Sequence, residues 1–451
     1  HDRKTEGLTY GLQASLMQAD LIDFLLWKDA DSGGWTQNPA AVTHNQGYRL
    51  YVDPFLSFHS PGGFRHQLKT RYFRTYNNFP QDPEKDNEAT QLFADYQLHK
   101  RLDPGVELTA GFAASTARSE ASLFGDHRFR NLALFAQADK AFGLLTLSLG
   151  ARWEYFRLDD VKESRPVVRA GVNYRAWDYT FLRASFGQGY RFPSIAEKFT
   201  TTSVGGVNVF PNPYLGSETG WSAEAGLRQG YHLGGLQGYL DVALFWTEYQ
   251  EMMEFSFGFY DTITFLPTTE YLSLDNIGFQ SQNIGRARIA GLEMVITGQG
   301  RIGRFPLTFM LGYTYTDPVD ENSDSAYRAG KSVEDDILKY RYRHSFQADV
   351  MMGYGRLSLG MGWVWHSYLE CVDQIFVDPV LGQLILPGYR EYRNLHDGEA
   401  YSQVDVRAGF QLSPSLNVAV MSRNLFNREN IGRPGDLRPP RSLLLTLRLR
   451  L

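Results

Sequence analysis

Ser442-Leu443-Leu444-Leu445-Thr446-Leu447-Arg448-Leu449-Arg450-Leu451 closes the chain, and its reading decides the fold. Side chains of a strand point alternately to opposite faces, so Leu443, Leu445, Leu447, Leu449 and Leu451 line one side. Ser442, Thr446, Arg448 and Arg450 share the other with Leu444. The same grammar sets Leu145, Leu147, Leu149, Ala151, Trp153 and Tyr155 against Thr146, Ser148, Gly150, Arg152 and Glu154. It recurs as Leu357, Leu359, Met361, Trp363 and Trp365 against Ser358, Gly360, Gly362 and His366. In the latter two the apolar row ends in aromatics, which favour the headgroup level of a bilayer. These stretches predict an all-β protein, a transmembrane antiparallel β-barrel with a lipid-facing row and a lumen-facing row on each strand.

Composition agrees. The mean hydropathy of −0.35 rules out a bundle of membrane helices, and no window approaches the apolar run such a helix needs. A barrel tolerates this value because its lumen and outer loops are polar. The single cysteine, Cys371, makes neither an intrachain disulfide nor a cysteine-based zinc site, and reads as a small buried residue near a strand end. A net charge of −5 leaves no basic footprint for nucleic acid. Opening at His1 without Met, directly into strand-like sequence, the chain is expected to be the mature or C-terminal portion of a longer one.

About eighteen segments read as strands of crossing length. They fall near 7–20, 47–59, 64–77, 88–102, 106–120, 127–142, 144–157, 164–176, 179–191, 219–232, 236–255, 281–298, 305–316, 340–353, 356–371, 402–413, 416–424 and 441–451. Tight turns such as Ser60-Pro61-Gly62-Gly63, Leu102-Asp103-Pro104-Gly105 and His232-Leu233-Gly234-Gly235 alternate with longer connections near 21–46, 192–218, 256–280, 317–339, 372–401 and 425–440. This is the asymmetry of periplasmic turns and extracellular loops, with both termini on the turn side. A soluble β-sandwich would not need outward apolar rows of this length, and no propeller repeat is present.

Several segments resemble the barrel of TonB-dependent outer-membrane receptors. Gly189-Tyr190-Arg191-Phe192-Pro193-Ser194-Ile195-Ala196-Glu197-Lys198-Phe199, followed by Asn212-Pro213-Tyr214-Leu215 and Ser217-Glu218, is similar to one family motif, with Ser217 where Pro is usual. Asn283-Ile284-Gly285-Arg286-Ala287-Arg288-Ile289-Ala290-Gly291-Leu292-Glu293 resembles a second, and Asn424-Leu425-Phe426-Asn427 a third. Leu451 stands where a terminal aromatic is usual for the barrel-assembly machinery. The resemblance assigns fold roles to Arg191, Pro193, Glu197, Asn212, Pro213, Asn283, Gly285, Gly291, Glu293 and Asn424. It implies a barrel of roughly 22 strands closed by a plug. The whole chain, 1–451, then reads as a C-terminal barrel portion whose plug and first strands lie ahead of His1.

The resemblance also implies partners. These are a TonB-type energising protein reached through the plug, lipid and lipopolysaccharide of a Gram-negative outer membrane, the barrel-assembly machinery, a small nutrient ligand, and in some systems a surface lipoprotein. Iron–siderophore or haem-like chelates come first as ligand, then cobalamin or oligosaccharides. No cofactor is implied.

No catalytic constellation emerges from the scattered histidines, and no Gly-x-Ser-x-Gly elbow occurs. Gly187-Gln188-Gly189 fails as a dinucleotide loop because Tyr190-Arg191-Phe192 follows. The acidic residues Asp320, Glu321, Asp324, Glu334 and Asp335 lack ordered Ca²⁺-loop spacing and read as a solvated run. For ligand contact, Trp27, Trp35 and His44 in one loop and Phe257 and Tyr260 in another are candidates, since aromatic rings stack on planar chelates or sugars. Packing of the loops into a rigid crown is the competing reading. A passive diffusion channel, or a barrel subunit of a larger surface assembly, is the alternative to active import.

Overall fold

The period-two pattern chooses a face for every strand residue, and cross-strand register carries that choice from strand to strand. The computed structural model describes residues 7–449 except 25–26, 29–35, 38, 40–41, 104, 205–206, 269–272, 323–326, 329–330 and 334. The first nine strands follow in order: β1 Leu8–Phe24, β2 Val42–His59, β3 Phe64–Asn78, β4 Asn87–Asp103, β5 Val106–Ala121, β6 His127–Phe142, β7 Leu145–Leu158, β8 Val161–Trp177 and β9 Thr180–Arg191. After helix α1, Ile195–Phe199, come β10 Thr202–Val204, β11 Val207–Phe210, β12 Glu218–Leu233, β13 Leu236–Gln250, β14 Met253–Phe259, β15 Ile277–Asn283, β16 Ala287–Ile302, β17 Phe305–Asp320, β18 His344–Tyr354 and β19 Leu357–His366. Helices α2, Leu381–Ile385, and α3, Tyr389–Leu395, precede β20 Tyr401–Gln411, β21 Leu416–Arg423 and β22 Ser442–Leu449.

Eighteen of these strands pair antiparallel as the barrel wall, each with its sequence neighbour once β10, β11, β14 and β15 are set aside. Among the described residues β1 pairs only with β2, and β22 only with β21. Tight turns join strands at one end, and the longer connections gather at the other. No helix among the described residues is long and apolar enough to cross a membrane.

Register settles the faces. Leu149 lies opposite Ala138 and Ala170, and Trp153 opposite Leu134 and Pro166, on the face where Leu132, Leu134, Leu149 and Trp153 are exposed. On the other face Ser148 donates to Asp139, Arg152 pairs with Glu154, and Asn131 Nδ2 donates to Glu154 at 2.7 Å. Arg183 bridges Glu224 at 2.9 Å and Asp241 at 2.7 Å, and Arg407 grips both oxygens of Asp349 at 2.6 and 2.8 Å. Asp405 shares this polar face. It accepts from Gln403 Nε2 and the Asn424 N–H rather than from Arg423, the partner that strand order alone would offer. Charges thus collect on the face that water can satisfy, and apolar side chains on the face that suits lipid.

Two long predicted strands prove to be bent. The stretch 236–255 breaks after β13, where Glu251 takes φ 54°, and 281–298 breaks before β16, where Gly285 takes φ 76°. Met252 and Gly285 lie side by side, with Met252 N–H donating to Gly285 O at 3.0 Å. The hairpin β13–β16 therefore kinks at one level in both arms and continues upward as β14 and β15. Segments read as loops near 192–218 and 256–280 thereby hold a second sheet, ordered β10-β11-β15-β14, in which β11 and β15 are parallel. The ends 340–343 and 367–371, predicted as strand, leave the ladder: Tyr340 takes φ 60° and donates to Asp373 instead.

Candidate functional site in the outer crown

The outer sheet, the two helices after β19 and the neighbouring connections form a crown with its own core. Trp27, Val207, Ile375, Ile385, Leu386 and Tyr389 are buried together, with Phe257, Phe279 and Phe376 packed against them. Phe255 stacks on Phe279 at 5.1 Å between ring centroids, and Phe257 meets Phe279 edge-on at 5.4 Å. Such aromatic contacts fix loop positions at little entropic cost.

Beneath this core lie charges out of water. Lys339 Nζ bonds Asp373 at 2.6 Å with both side chains 2% exposed, and Lys331 Nζ reaches Asp320 at 3.2 Å with both nearly as buried. Tyr340 OH donates to the second oxygen of Asp373 at 2.5 Å. Burial pushes the Glu254 carboxyl above its usual range, and Lys339 and the Arg341 guanidinium 3.4 Å away pull it back only in part. Asp320 is therefore not part of a solvated acidic run. Asp336 is paired too, with Arg328 at 2.6 Å. Asp324 and Glu334 lie outside the described residues.

A cavity of about 840 Å³ opens among β14, the kinked hairpin and the connections after β17 and β19. Its apolar lining includes Phe257, Phe259, Tyr260 and Leu381, and its amide lining includes Gln282, Asn283 and Gln374. Glu251 and Asp378 are the charged side chains that line it among the described residues. The volume lies in the range of sites that enclose a drug-sized ligand, with aromatic walls and a few convergent polar groups. A cleft ringed by Tyr342, Tyr368 and Tyr392 holds only about 50 Å³, room for water. A space of about 920 Å³ lies at the opposite, turn end of the wall beside His232, Tyr239 and Asp349.

The candidates named from sequence separate on this geometry. Phe257 and Tyr260 both line the cavity. Tyr260 itself is 2% exposed, donating its hydroxyl to Ser256 O at 3.0 Å, so it shapes the wall rather than offering a free ring. Trp27 is 1% exposed and donates its indole N–H to Pro387 O at 2.9 Å: it anchors the crown core. His44 stands on the β1–β2 hairpin against Asp20 at 2.5 Å, apart from the cavity. Trp35 lies outside the described residues.

The motif residues knit connections together. Arg191 bonds Glu197 at 2.6 Å, while Glu197 and Ser194 close a reciprocal cap on α1 just after Pro193. Burial alone would raise Glu197, yet Ser194 and Arg191 outweigh it and hold the carboxyl below its usual range. Asn212, preceding Pro213, donates to Ser281 O at 2.8 Å. Asn283 donates to Glu251 O at 2.8 Å and to Gly216 O at 3.2 Å while accepting from the Gly216 N–H at 2.8 Å. Asn424, at φ 48°, donates to Arg428 O at 2.8 Å. At Gly291 a side chain would collide with the Tyr315 carbonyl and the Phe245 ring, so only glycine lets the two strands approach there. Glu293 faces the lumen opposite Thr314. Cys371 is buried, as its sequence reading holds.

What sequence reasoning missed is the crown's charge pairs and the amide row of the cavity. Lys339 and Arg341 find Asp373 and Glu254 tens of residues away, and even the nearer pairs Lys331–Asp320 and Arg328–Asp336 carry no local signature.

Known proteins share this architecture. A family model described as TonB dependent receptor-like, beta-barrel, matches residues 2–425. Among solved structures, a mutant of the ferric enterobactin receptor PfeA from Pseudomonas aeruginosa in complex with enterobactin superposes with a TM-score of 0.70 at 16% identity, over 99% of this chain and 68% of that one. FpvA of P. aeruginosa bound to heterologous pyoverdines gives 0.67 at 16% identity, over 99% and 63%. The ferric-catecholate import receptor Fiu of E. coli K12 gives 0.64 at 13% identity, over 98% and 71%. At these identities the likeness is one of fold. No curated protein matches the chain.

Proposed function

Because the chain belongs to the TonB-dependent receptor family, we propose that it is an outer-membrane receptor that captures an iron chelate in its crown cavity and imports it with TonB-transduced energy. The observation that carries this reading is the aromatic and amide-lined cavity of about 840 Å³ held above a wall with a charged lumen face. A barrel this wide leaves a channel unless something fills it, and the lumen row of Arg152, Arg183, Asp349 and Arg407 offers a plug its polar contacts.

Lipid cannot satisfy open strand edges, so on this reading the sides of β1 and β22 that find no partner strand among the described residues are joined by further strands of the same barrel. The receptors with similar structures are named for enterobactin, pyoverdine and catecholate ligands, which supports an iron chelate as the cargo class.

Ligand binding alone biases plug states but does not drive accumulation against a gradient, so an energised partner is required. Uptake of iron chelates, cobalamin and oligosaccharides is to be measured in outer-membrane-intact cells with and without the energising complex. Uptake of an iron chelate that disappears without the complex, while surface binding persists, is the expected result. Equal uptake in both strains means a diffusion channel.

A further inference from the structure

Resting on the import reading, we infer that the crown cavity selects an uncharged or cationic ferric chelate, such as a trihydroxamate complex, over a trianionic tris-catecholate. The argument is one of charge. Glu251 and Asp378 are the charged side chains on the lining, and no Lys, Arg or His joins them among the described residues.

Several cations of the surrounding crown are already engaged. Lys339 is held by Asp373, Lys331 by Asp320, Arg341 by Glu254 and Arg328 by Asp336. Arg286, just beyond the kink, faces Glu321 at 3.4 Å. Recruiting any of the buried lysines to an anionic ligand would strand a carboxylate out of water. Sequence deepens the imbalance: the connection from 251 to 286 carries Glu251, Glu254, Asp261, Glu270 and Asp275 against Arg286 alone.

An anion entering such a site meets like charge without a counter-ion, which is how a pocket rejects the wrong partner. A neutral or cationic chelate meets the opposite conditions. Its carbonyl and amide groups face Gln282 and Gln374, and its apolar flank faces Phe257 and Phe259.

The test uses the full chain purified in detergent and titrated with three probes: a cationic linear ferric trihydroxamate, a neutral cyclic ferric trihydroxamate and a trianionic ferric tris-catecholate. Quenching of intrinsic fluorescence reports Kd. We expect both hydroxamates to bind at least about tenfold more tightly than the tris-catecholate, a gap worth one power of ten in Kd. Affinity for the cationic probe alone should fall as salt rises.

In the double variant Glu251→Gln, Asp378→Asn the gap should shrink through a gain for the tris-catecholate and a loss for the cationic probe. The amide introduced by Asp378→Asn keeps a carbonyl acceptor for the Val380 and Leu381 N–H groups that Asp378 now serves. Tightest binding of the tris-catecholate, or preferences unmoved by the double variant, would overturn the charge reading while leaving a chelate receptor in place. Binding of none of the three would overturn both.

Discussion

The wall and the crown are built from similar residues by opposite rules. In the wall, β6 and β7 run in unbroken register from Phe129 opposite Leu158 to Phe142 opposite Leu145, and each side chain's environment follows from whether its number is odd or even. In the crown, β11 pairs in parallel with β15 seventy residues away, and two ion pairs lie out of water. The wall spreads its stability over many equivalent local contacts, whereas the crown concentrates it in a few long-range ones. Single substitutions should therefore hurt the crown more.

The largest expected effect is at Asp373. Asp373→Ala leaves Lys339 buried without its partner and should destabilise the crown by about 3–5 kcal/mol. Limited proteolysis between 331 and 341, with urea unfolding in detergent, reads it. Replacing the pair together, Lys339→Met with Asp373→Leu, should recover most of the loss.

Leu149→Arg, on the exposed apolar row, should cost about 2–4 kcal/mol in a lipid bilayer, because a charge at mid-depth is poorly accommodated. Ser148→Arg, one residue along, enters the polar face beside Asp139 and should cost little. Reversible folding into lipid vesicles compares the two, and equal costs would break the odd-even rule on which the wall depends.

Asn283→Ala removes a donor and an acceptor from the junction with Gly216 and leaves part-buried backbone groups unmet, for a loss of about 1 kcal/mol. Faster hydrogen exchange confined to 214–217 and 251–254 is the expected signature.

The smallest effect sets two crown carboxylates against each other. Glu254 is held above its unfolded value, so its contribution is complete below the ordinary value of 4.5 and is lost as pH rises through its folded pKa. Glu197 is held below its own, so its contribution is present above 4.5 and is lost as pH falls through its folded pKa. Acidification from neutral should slow exchange around β14 and quicken it around α1. Parallel changes at both would contradict the opposed environments.

These contrasts also explain what the sequence discloses. The bounds of β6, 127–142, are legible to the residue, because alternation and a Phe142-Gly143 turn are local signals. The run Met253, Phe255, Phe257, Phe259 alternates as well, yet Phe257 and Phe259 look like loop residues until β15 supplies the other half of the sheet. Trp27 bonds a carbonyl 360 residues away, and no window sees that distance. Asp320 reads as solvated because its partner Lys331 sits beyond a stretch of acidic and small residues. For the cavity, the aromatic half is legible in Phe257 and Tyr260, whereas the amide half, Gln282 and Asn283 on β15 with Asn322 and Gln374 on the connections after β17 and β19, is brought together only by the fold.

The inequality between the two ends of the wall also bears on time. Turns such as 234–235 are two residues long and slip through a bilayer readily, whereas the other end carries a folded sheet, two helices and the Lys339–Asp373 and Lys331–Asp320 pairs. Inverting the molecule would drag all of that through hydrocarbon, where each ion is strongly disfavoured. Orientation is thus a memory of how the chain was inserted, kept by a barrier rather than by an equilibrium, and a molecule inserted the wrong way round would never correct itself.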